Sequence, residues 1–267
     1  MDKIALCAIG RRENLYAREF VEHYKNLGFS NILILDNNHD GEEHFEDVLQ
    51  DYINQGFVKI INCRNQINCQ MRLYTETYDK YKDEYDWIAF FDFDEFLILP
   101  NHKTIGDFLE DKSNFDCVLI NWMCMTDNNL VKYDPRPLME RFTQAMPINK
   151  PVQYSFPDNC HIKSIVKGHL PIVRFVSNPH IPTNQLNCCN AEGTKVNSSP
   201  WQQITYTQAY LKHFTTKTIE EWMTRKIKVG TPDRNPGQFL PVYRDRFFKV
   251  NEVTQDKLDY LKSIQAI

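Results

Sequence analysis

At 267 residues the chain is long enough to bury a large core, and 42% apolar with 25% charged residues is ordinary for a globular protein, which excludes wholesale disorder. A net charge of −4 gives no concentrated basic surface, so nucleic acid is not an expected partner. No run approaches the ~18 apolar residues that span a bilayer, so membrane contact is expected to be peripheral at most.

The chain opens with an apolar strand. Ile4-Ala5-Leu6-Cys7-Ala8-Ile9 is a continuous apolar run ending at Gly10, the pattern of a strand buried on both faces. Leu15, Phe20, Tyr24 and Leu27 then recur on a helix that Gly28 stops. Asn31–Asp36 reads as the second strand, 42–55 as a helix ending at Gly56, and Phe57–Ile61 as the third strand. An amphipathic helix over about 67–83 leads into a fourth strand, Trp87–Asp92. Four strands with helical crossovers predict a parallel sheet with helices on both faces, and ligands bind such sheets at the carboxyl ends of their strands.

After residue 125 the prolines cluster and helical periodicity weakens. Short strands are expected at 116–122, 161–166 and 172–176, a long polar loop over 177–203, and a helix over 218–229 with a Thr218/Glu221 capping box. No hard boundary shows, so 1–267 reads as one domain, with a donor-binding half (1–125) and an acceptor-side half (126–267). The eight cysteines show no CxxC spacing, and Cys188-Cys189 reads as packing ahead of metal binding. The first residues lead into a strand rather than a secretory signal, so a cytoplasmic setting is expected, with the inner membrane face as the place for any peripheral contact.

The chemistry concentrates in Phe90-Phe91-Asp92-Phe93-Asp94-Glu95-Phe96. Three carboxylates in four positions repel one another, and burying them is costly unless a cation neutralises them. A hard divalent metal bound through oxygen does so, with a diphosphate completing its shell. In an extended segment Asp92 and Asp94 project to one side, Phe91 and Phe93 to the other.

This D-x-D-E-F segment after a Trp-bearing strand resembles the nucleotide-diphospho-sugar transferases of the GT-A fold. Glu19–Tyr24 with Leu27-Gly28-Phe29-Ser30, Ile34-Leu35-Asp36-Asn37, Lys163-Ser164-Ile165-Val166 with His180, and Leu211-Lys212-His213-Phe214 with Thr218–Trp222 and Lys226 are similar to blocks of family 92 glycosyltransferases and their bacterial relatives. The family usually has Tyr where this chain has Phe214. The resemblance implies a Rossmann-like mixed sheet flanked by helices and a metal-dependent, inverting transfer from a nucleotide-sugar donor, with uridine as the base, to a glycan or lipid-linked glycan of a surface polysaccharide. It implies Asp94 as a ligand of Mn²⁺ or Mg²⁺, Asp92 on the ribose or the metal, and His180 or His213 as a further ligand. Arg12, Glu13, Asn14, Asp36 and Asn37 are implied to line the nucleotide pocket.

A departing diphosphate gathers negative charge, so basic side chains should face it; Arg72, Lys163, Arg225, Lys226 and Lys228 are the candidates. Attack by an acceptor hydroxyl needs a general base, for which Asp158 and Glu221 are the expected acids. Trp201, in the polar loop, is the aromatic placed to stack on a sugar. Two rival functions stand beside this one: a sugar nucleotidyltransferase, whose Gly- and Arg-rich N-terminal loop is missing from IALCAIGRREN, and a glycan- or metal-binding module without turnover. The segment 36–41 lacks the closing Glu of a calcium loop, and neither G-x-G-x-x-G nor a P-loop occurs.

Overall fold

The computed structural model describes residues 2–152, 156–183, 185–228 and 240–266. Strand β1 (Ile4–Gly10), helix α1 (Asn14–Asn26), β2 (Asn31–Asp36), α2 (Glu46–Asn54), β3 (Val58–Asn62), α3 (Gln70–Tyr81) and β4 (Trp87–Phe90) alternate as expected. Then come β5 (Glu95–Ile98), α4 (Ile105–Leu109), β6 (Cys117–Cys124), α5 (Leu138–Arg141) and β7 (Ile162–Lys167). The chain closes with β8 (Cys188–Asn190), β9 (Lys195–Val196), β10 (Tyr210–His213), α6 (Ile219–Glu221), α7 (Leu240–Val250) and α8 (Gln255–Ser263).

The strands form a mixed sheet in the order β3-β2-β1-β4-β7-β6-β10-β5. The first four are parallel, and β7 runs antiparallel between β4 and β6. Beyond β7 the edge divides: β8 pairs the first half of β6, and β10 pairs its second half. Strands from either side of residue 125 therefore interleave in one sheet.

Every residue of β1 is buried, because its two faces feed different cores. Ile4, Leu6 and Ala8 pack with Phe20 and Tyr24 of α1 and Leu49 of α2. Ala5, Cys7 and Ile9 pack with Leu73, Tyr74 and Tyr78 of α3. A smaller third cluster joins Ile219 and Trp222 to Phe247 and Leu261, seating the C-terminal helices. On α1 the apolar face runs through Tyr16, Ala17, Phe20, Val21 and Tyr24; Leu15, expected there, is 49% exposed.

Two segments differ from the sequence reading. No strand forms at 172–176, although its alternation is real: Val173 and Phe175 are buried while Ile172 and Val176 are exposed. Side chains take the place of a ladder there, with Phe175 N–H donating to Thr75 Oγ1 at 2.9 Å and Val176 N–H to Thr183 Oγ1 at 3.1 Å. The helix expected over 218–229 keeps its capping box, but after three α-helical residues it widens into a π-helix, Trp222–Ile227; Val229 lies outside the described residues.

Gly168 marks a close approach between the β7 turn and the end of α3. A Cβ there would lie 1.8 Å from the Tyr85 carbonyl oxygen, whereas one at Gly106 would meet nothing nearer than Thr104 Oγ1 at 3.7 Å. Gly168→Ala is expected to lower unfolding free energy in urea by about 2–3 kcal/mol. Gly106→Ala, in a helix, should be neutral or stabilising by up to about 1 kcal/mol. Equal midpoints for the two variants would show that the approach is looser than described.

Candidate active site

A cleft of about 230 Å³ opens at the carboxyl ends of β1, β4 and β10, where an open α/β sheet places its ligand. Its walls come from the turn after β1, the segment after β4, the start of α3, the turn around His180, the stretch after β10 and the C-terminal helices.

The acidic segment is a turn rather than an extended strand. The β4 ladder stops at Phe90, and Glu95 N–H donates back to the Asp92 carbonyl at 3.0 Å. The aromatics still anchor it: Phe91 and Phe93 are buried, and Phe93 stacks on Phe45 at 5.1 Å. Gly10 makes room for that ring, since a Cβ there would lie 2.6 Å from Phe93. Asp92 and Asp94 face the cleft.

The neutralising charge comes from the protein. Lys163, wholly buried on β7, holds Asp92 Oδ2 at 2.7 Å and Glu95 Oε2 at 3.4 Å. Burial opposes the charge on Lys163, but the Asp92 and Glu95 carboxylates outweigh it and hold its pKa above the usual lysine value. Gln70 Nε2 and the Tyr74 hydroxyl donate to Asp92 Oδ1 at 3.0 and 3.2 Å. Glu95 accepts the Asp92 N–H at 2.9 Å, and burial pushes its carboxyl well up. A buried lysine thus supplies a cation to two of the three crowded carboxylates, Asp92 and Glu95.

Asp94 has its own set. Its Oδ2 lies 3.4 Å from Lys226 Nζ and 3.8 Å from Lys217 Nζ, and its Oδ1 lies 3.6 Å from His213 Nε2. Burial alone would raise the Asp94 pKa, yet Lys226, Lys217 and His213 outweigh it and hold the carboxyl far below the usual range. Burial pushes the His213 imidazole down to about 3, so it is neutral near pH 7. The π-helix carries Arg225 and Lys226 to the cleft, and such widened turns recur at functional sites. Lys217 has φ +52, a conformation a side-chain-bearing residue rarely adopts.

The structure brings Asp92, Asp94, His180, His213, Glu13, Glu221, Arg225 and Lys226 to the cleft. Lys163 stands behind it, bracing Asp92. Other expected residues sit elsewhere. Asp36 is held by Arg64 at 2.8 Å, Asn37 donates to the Cys63 and Gln66 carbonyls, and Asn14 donates to the His44 carbonyl. Arg12 is in the turn after β1, its N–H on Asn38 Oδ1. Arg72 forms a half-exposed pair with Glu76 one turn along α3, and Lys228 is exposed past the π-helix. Asp158 lies behind Arg246, its Oδ2 4.0 Å from the guanidinium, outside the cleft lining. Glu221 is in the lining but fully engaged: it accepts from Tyr16 at 2.6 Å, from Arg141 in a bidentate pair at 3.0 and 3.1 Å, and from Thr218 at 2.7 Å.

The four side chains expected to hold a metal share the cleft without closing into a three-donor group. Among the described residues that spacing occurs at Asp36, His44 and Glu46, away from the cleft, where Arg64 already holds Asp36. Sequence reasoning missed Gln70, Lys217 and Arg246. Gln70 opens a helix and carries no motif, Lys217 depends on a backbone twist, and Arg246 on the docking of α7.

With this geometry in hand, comparison with known proteins is decisive at one level. Residues 3–228 match the sequence model for glycosyltransferase family 92. The chain belongs to that family. No curated protein matches the sequence. Among solved structures, S. aureus TarS 1–349 is similar at TM-score 0.40 and 12% identity, over 62% of this chain and 47% of that one. TarS 1–349 in complex with UDP-GlcNAc is similar at TM-score 0.38 and 13% identity, over 49% and 37%. A mannose-1-phosphate geranyltransferase from Thermus thermophilus gives 0.34 and 10%, over 64% and 51%. The chain spans less than half of these TarS chains. As a family 92 glycosyltransferase it is built on a mixed sheet flanked by helices. Among the described residues, no helix is long and apolar enough to cross a membrane.

The Arg141–Glu221 pair ties α5, α6 and the cleft wall together with both side chains buried. Breaking a buried pair leaves an unpaired charge, so Arg141→Leu should cost about 3–5 kcal/mol in urea unfolding. A loss below about 1 kcal/mol would mean that Glu221 is not anchored by this pair.

Proposed function

We propose that this glycosyltransferase moves a sugar from a UDP-sugar to a glycan or lipid-linked glycan acceptor in polysaccharide assembly, with the donor diphosphate seated in the cleft. The observation that carries the proposal is the convergence of Lys217, Arg225, Lys226 and Arg246 on a cleft that also presents Asp92, Asp94 and His213. Fixed cations aimed at the point where a leaving diphosphate gathers charge stabilise the transition state without reorganising. They do so best in a partly buried cleft, where water screens them little.

The donor set also fits a divalent ion. Asp94 Oδ1 and the neutral His213 Nε2 lie 3.6 Å apart on one wall, and Mg²⁺ or Mn²⁺ is commonly held by one or two protein ligands with the remaining positions filled by phosphate oxygens and water. Asp94 and His213 would hold it, with His180 beside them, and the ion would act as a Lewis acid on the diphosphate. Asp92, fixed by Lys163, Gln70 and Tyr74 yet 32% exposed at its side chain, would accept from a ribose hydroxyl or contact the ion. Glu13, whose Oε2 is buried without a partner among the described residues and whose pKa burial raises, belongs to the same donor wall. Lys217 and Lys226, now on Asp94, would turn part of their charge to the phosphates. Inversion at the anomeric carbon and uridine as the base are proposed from the family resemblance.

Thermal shift with nucleoside diphosphates tests the donor assignment, because a ligand bound to the native state raises its melting temperature. UDP with Mn²⁺ should raise Tm, GDP and ADP should do so less, and Asp94→Asn should remove the Mn²⁺-dependent part. Failure of every diphosphate to shift Tm, with or without Mn²⁺, would overturn the reading. In turnover assays that follow UDP release from UDP-sugars, Lys226→Ala and Lys217→Ala should each lower kcat/KM by about tenfold to a thousandfold. Asp94→Asn releasing UDP at the wild-type rate would remove Asp94 from the chemistry and favour a role confined to binding.

A further inference from the structure

His180 and His213 of the cleft lining begin a wall of aromatic rings that extends beyond the lining. From His213 a row of rings runs outward: Trp122 lies 4.2 Å from His213, and His161 stacks on Trp122 at 5.0 Å with the planes 23° apart. His180, on the cleft lining, sits 4.9 Å from Trp122 and 6.0 Å from His161. The row ends at Trp201, 6.1 Å from His161 and 42% exposed. Three ring nitrogens on this wall, Trp122 Nε1, His180 Nδ1 and His213 Nδ1, are buried with no hydrogen-bond partner among the described residues. Buried polar atoms are nearly always satisfied, so orphans gathered beside a cleft point to a missing hydrogen-bonding ligand or water.

The exposed indole is rigidly held. His161 and Trp201 form a β-bridge, Ile162 N–H donates to the Pro200 carbonyl at 3.2 Å, and Gln202 N–H to the Cys160 carbonyl at 2.8 Å. Phe156 packs against its ring at 5.1 Å. A large aromatic kept in water by that much backbone structure presents a preorganised apolar face, the kind that packs on the C–H face of a sugar while nearby polar atoms meet its hydroxyls. The wall is built of rings, whereas Lys217, Arg225 and Lys226 bring charge to the cleft itself.

We propose that this wall is the acceptor subsite: a neutral pyranose ring packs on Trp201, and its hydroxyls meet the orphaned ring nitrogens of the Trp122–His180–His213 row on the way to the donor sugar. The assignment rests on the glycosyltransferase reading above and names the surface its acceptor uses. Trp201 orients the acceptor and takes no part in bond making. It therefore governs acceptor affinity and leaves donor affinity alone.

The test uses the full chain and saturation-transfer NMR with three probes: the methyl β-glycosides of glucose, galactose and N-acetylglucosamine, with UDP and Mn²⁺ titrated separately. At least one glycoside should receive saturation from the wild type, and Trp201→Ala should cut that signal by about fivefold, the size of one lost ring contact. Trp201→Phe should retain about half of it or more, while UDP affinity stays within about twofold in both variants. The subsite is overturned if no glycoside receives saturation from the wild type, or if Trp201→Ala leaves the signal intact. If UDP fails to bind the wild type while a glycoside still binds through Trp201, the donor reading falls and the pyranose site stands.

Discussion

Lys163 is the side chain on which the active-site end of the sheet depends. It sits on β7, the antiparallel strand inserted between β4 and β6, with its ammonium group buried against Asp92 and Glu95. A carboxylate and an amine brought out of water together, with Asp92 closing the set at the cleft edge, are tolerable only as partners, because each alone would face a desolvation cost of several kcal/mol. That set closes the turn after β4, which directs Phe93 into the core and Asp94 into the cleft. Asp94 then collects a second group of cations from the far end of the chain, through Lys217 after β10 and Lys226 on the π-helix. The first strands and the last third of the sequence are thus tied together electrostatically across the site.

Much of this was legible in the sequence, for reasons that differ by region. The first four strands and their helices announce themselves because the apolar runs of β1, β2 and β4 are buried on both faces, with β3 partly buried at the edge, and each crossover is amphipathic. The acidic turn was legible as a site because three crowded carboxylates after a buried strand demand an explanation. What neutralises them was not legible. Lys163 is 68 residues from Glu95 in sequence, counting from 95 to 163, and nothing local marks its side chain as buried. β10 escaped notice because a four-residue strand pairing two distant partners has too little pattern of its own. Asp36 and Asn37 sit after a parallel strand as a nucleotide-binding residue should, yet Arg64 and the carbonyls of Cys63 and Gln66 consume their polar atoms. Position at a strand end made them candidates; hydrogen bonding took them out of the cleft.

The cleft has two chemically different sides, and the difference follows from how the sheet is built. One side takes its character from the turn after β4, the stretch after β10 and the π-helix, which deliver carboxylates, lysines and arginine. Beside it, His180 and His213 of the lining join Trp122, His161 and Trp201 in a row of rings that extends beyond the cleft. The division near residue 125 is a division of chemistry along the chain, while in space the two halves share one sheet.

The central claim is that Lys163 makes the acidic turn stable whether or not a divalent ion is bound in the cleft. Urea unfolding of the wild type and of Lys163→Met, each with and without EDTA, tests it most directly. The account predicts that EDTA leaves wild-type stability unchanged and that Lys163→Met loses about 3–5 kcal/mol, the cost of stranding buried carboxylates without their partner. Wild-type protein that unfolds when metal is removed, or Lys163→Met protein as stable as the wild type, would contradict it.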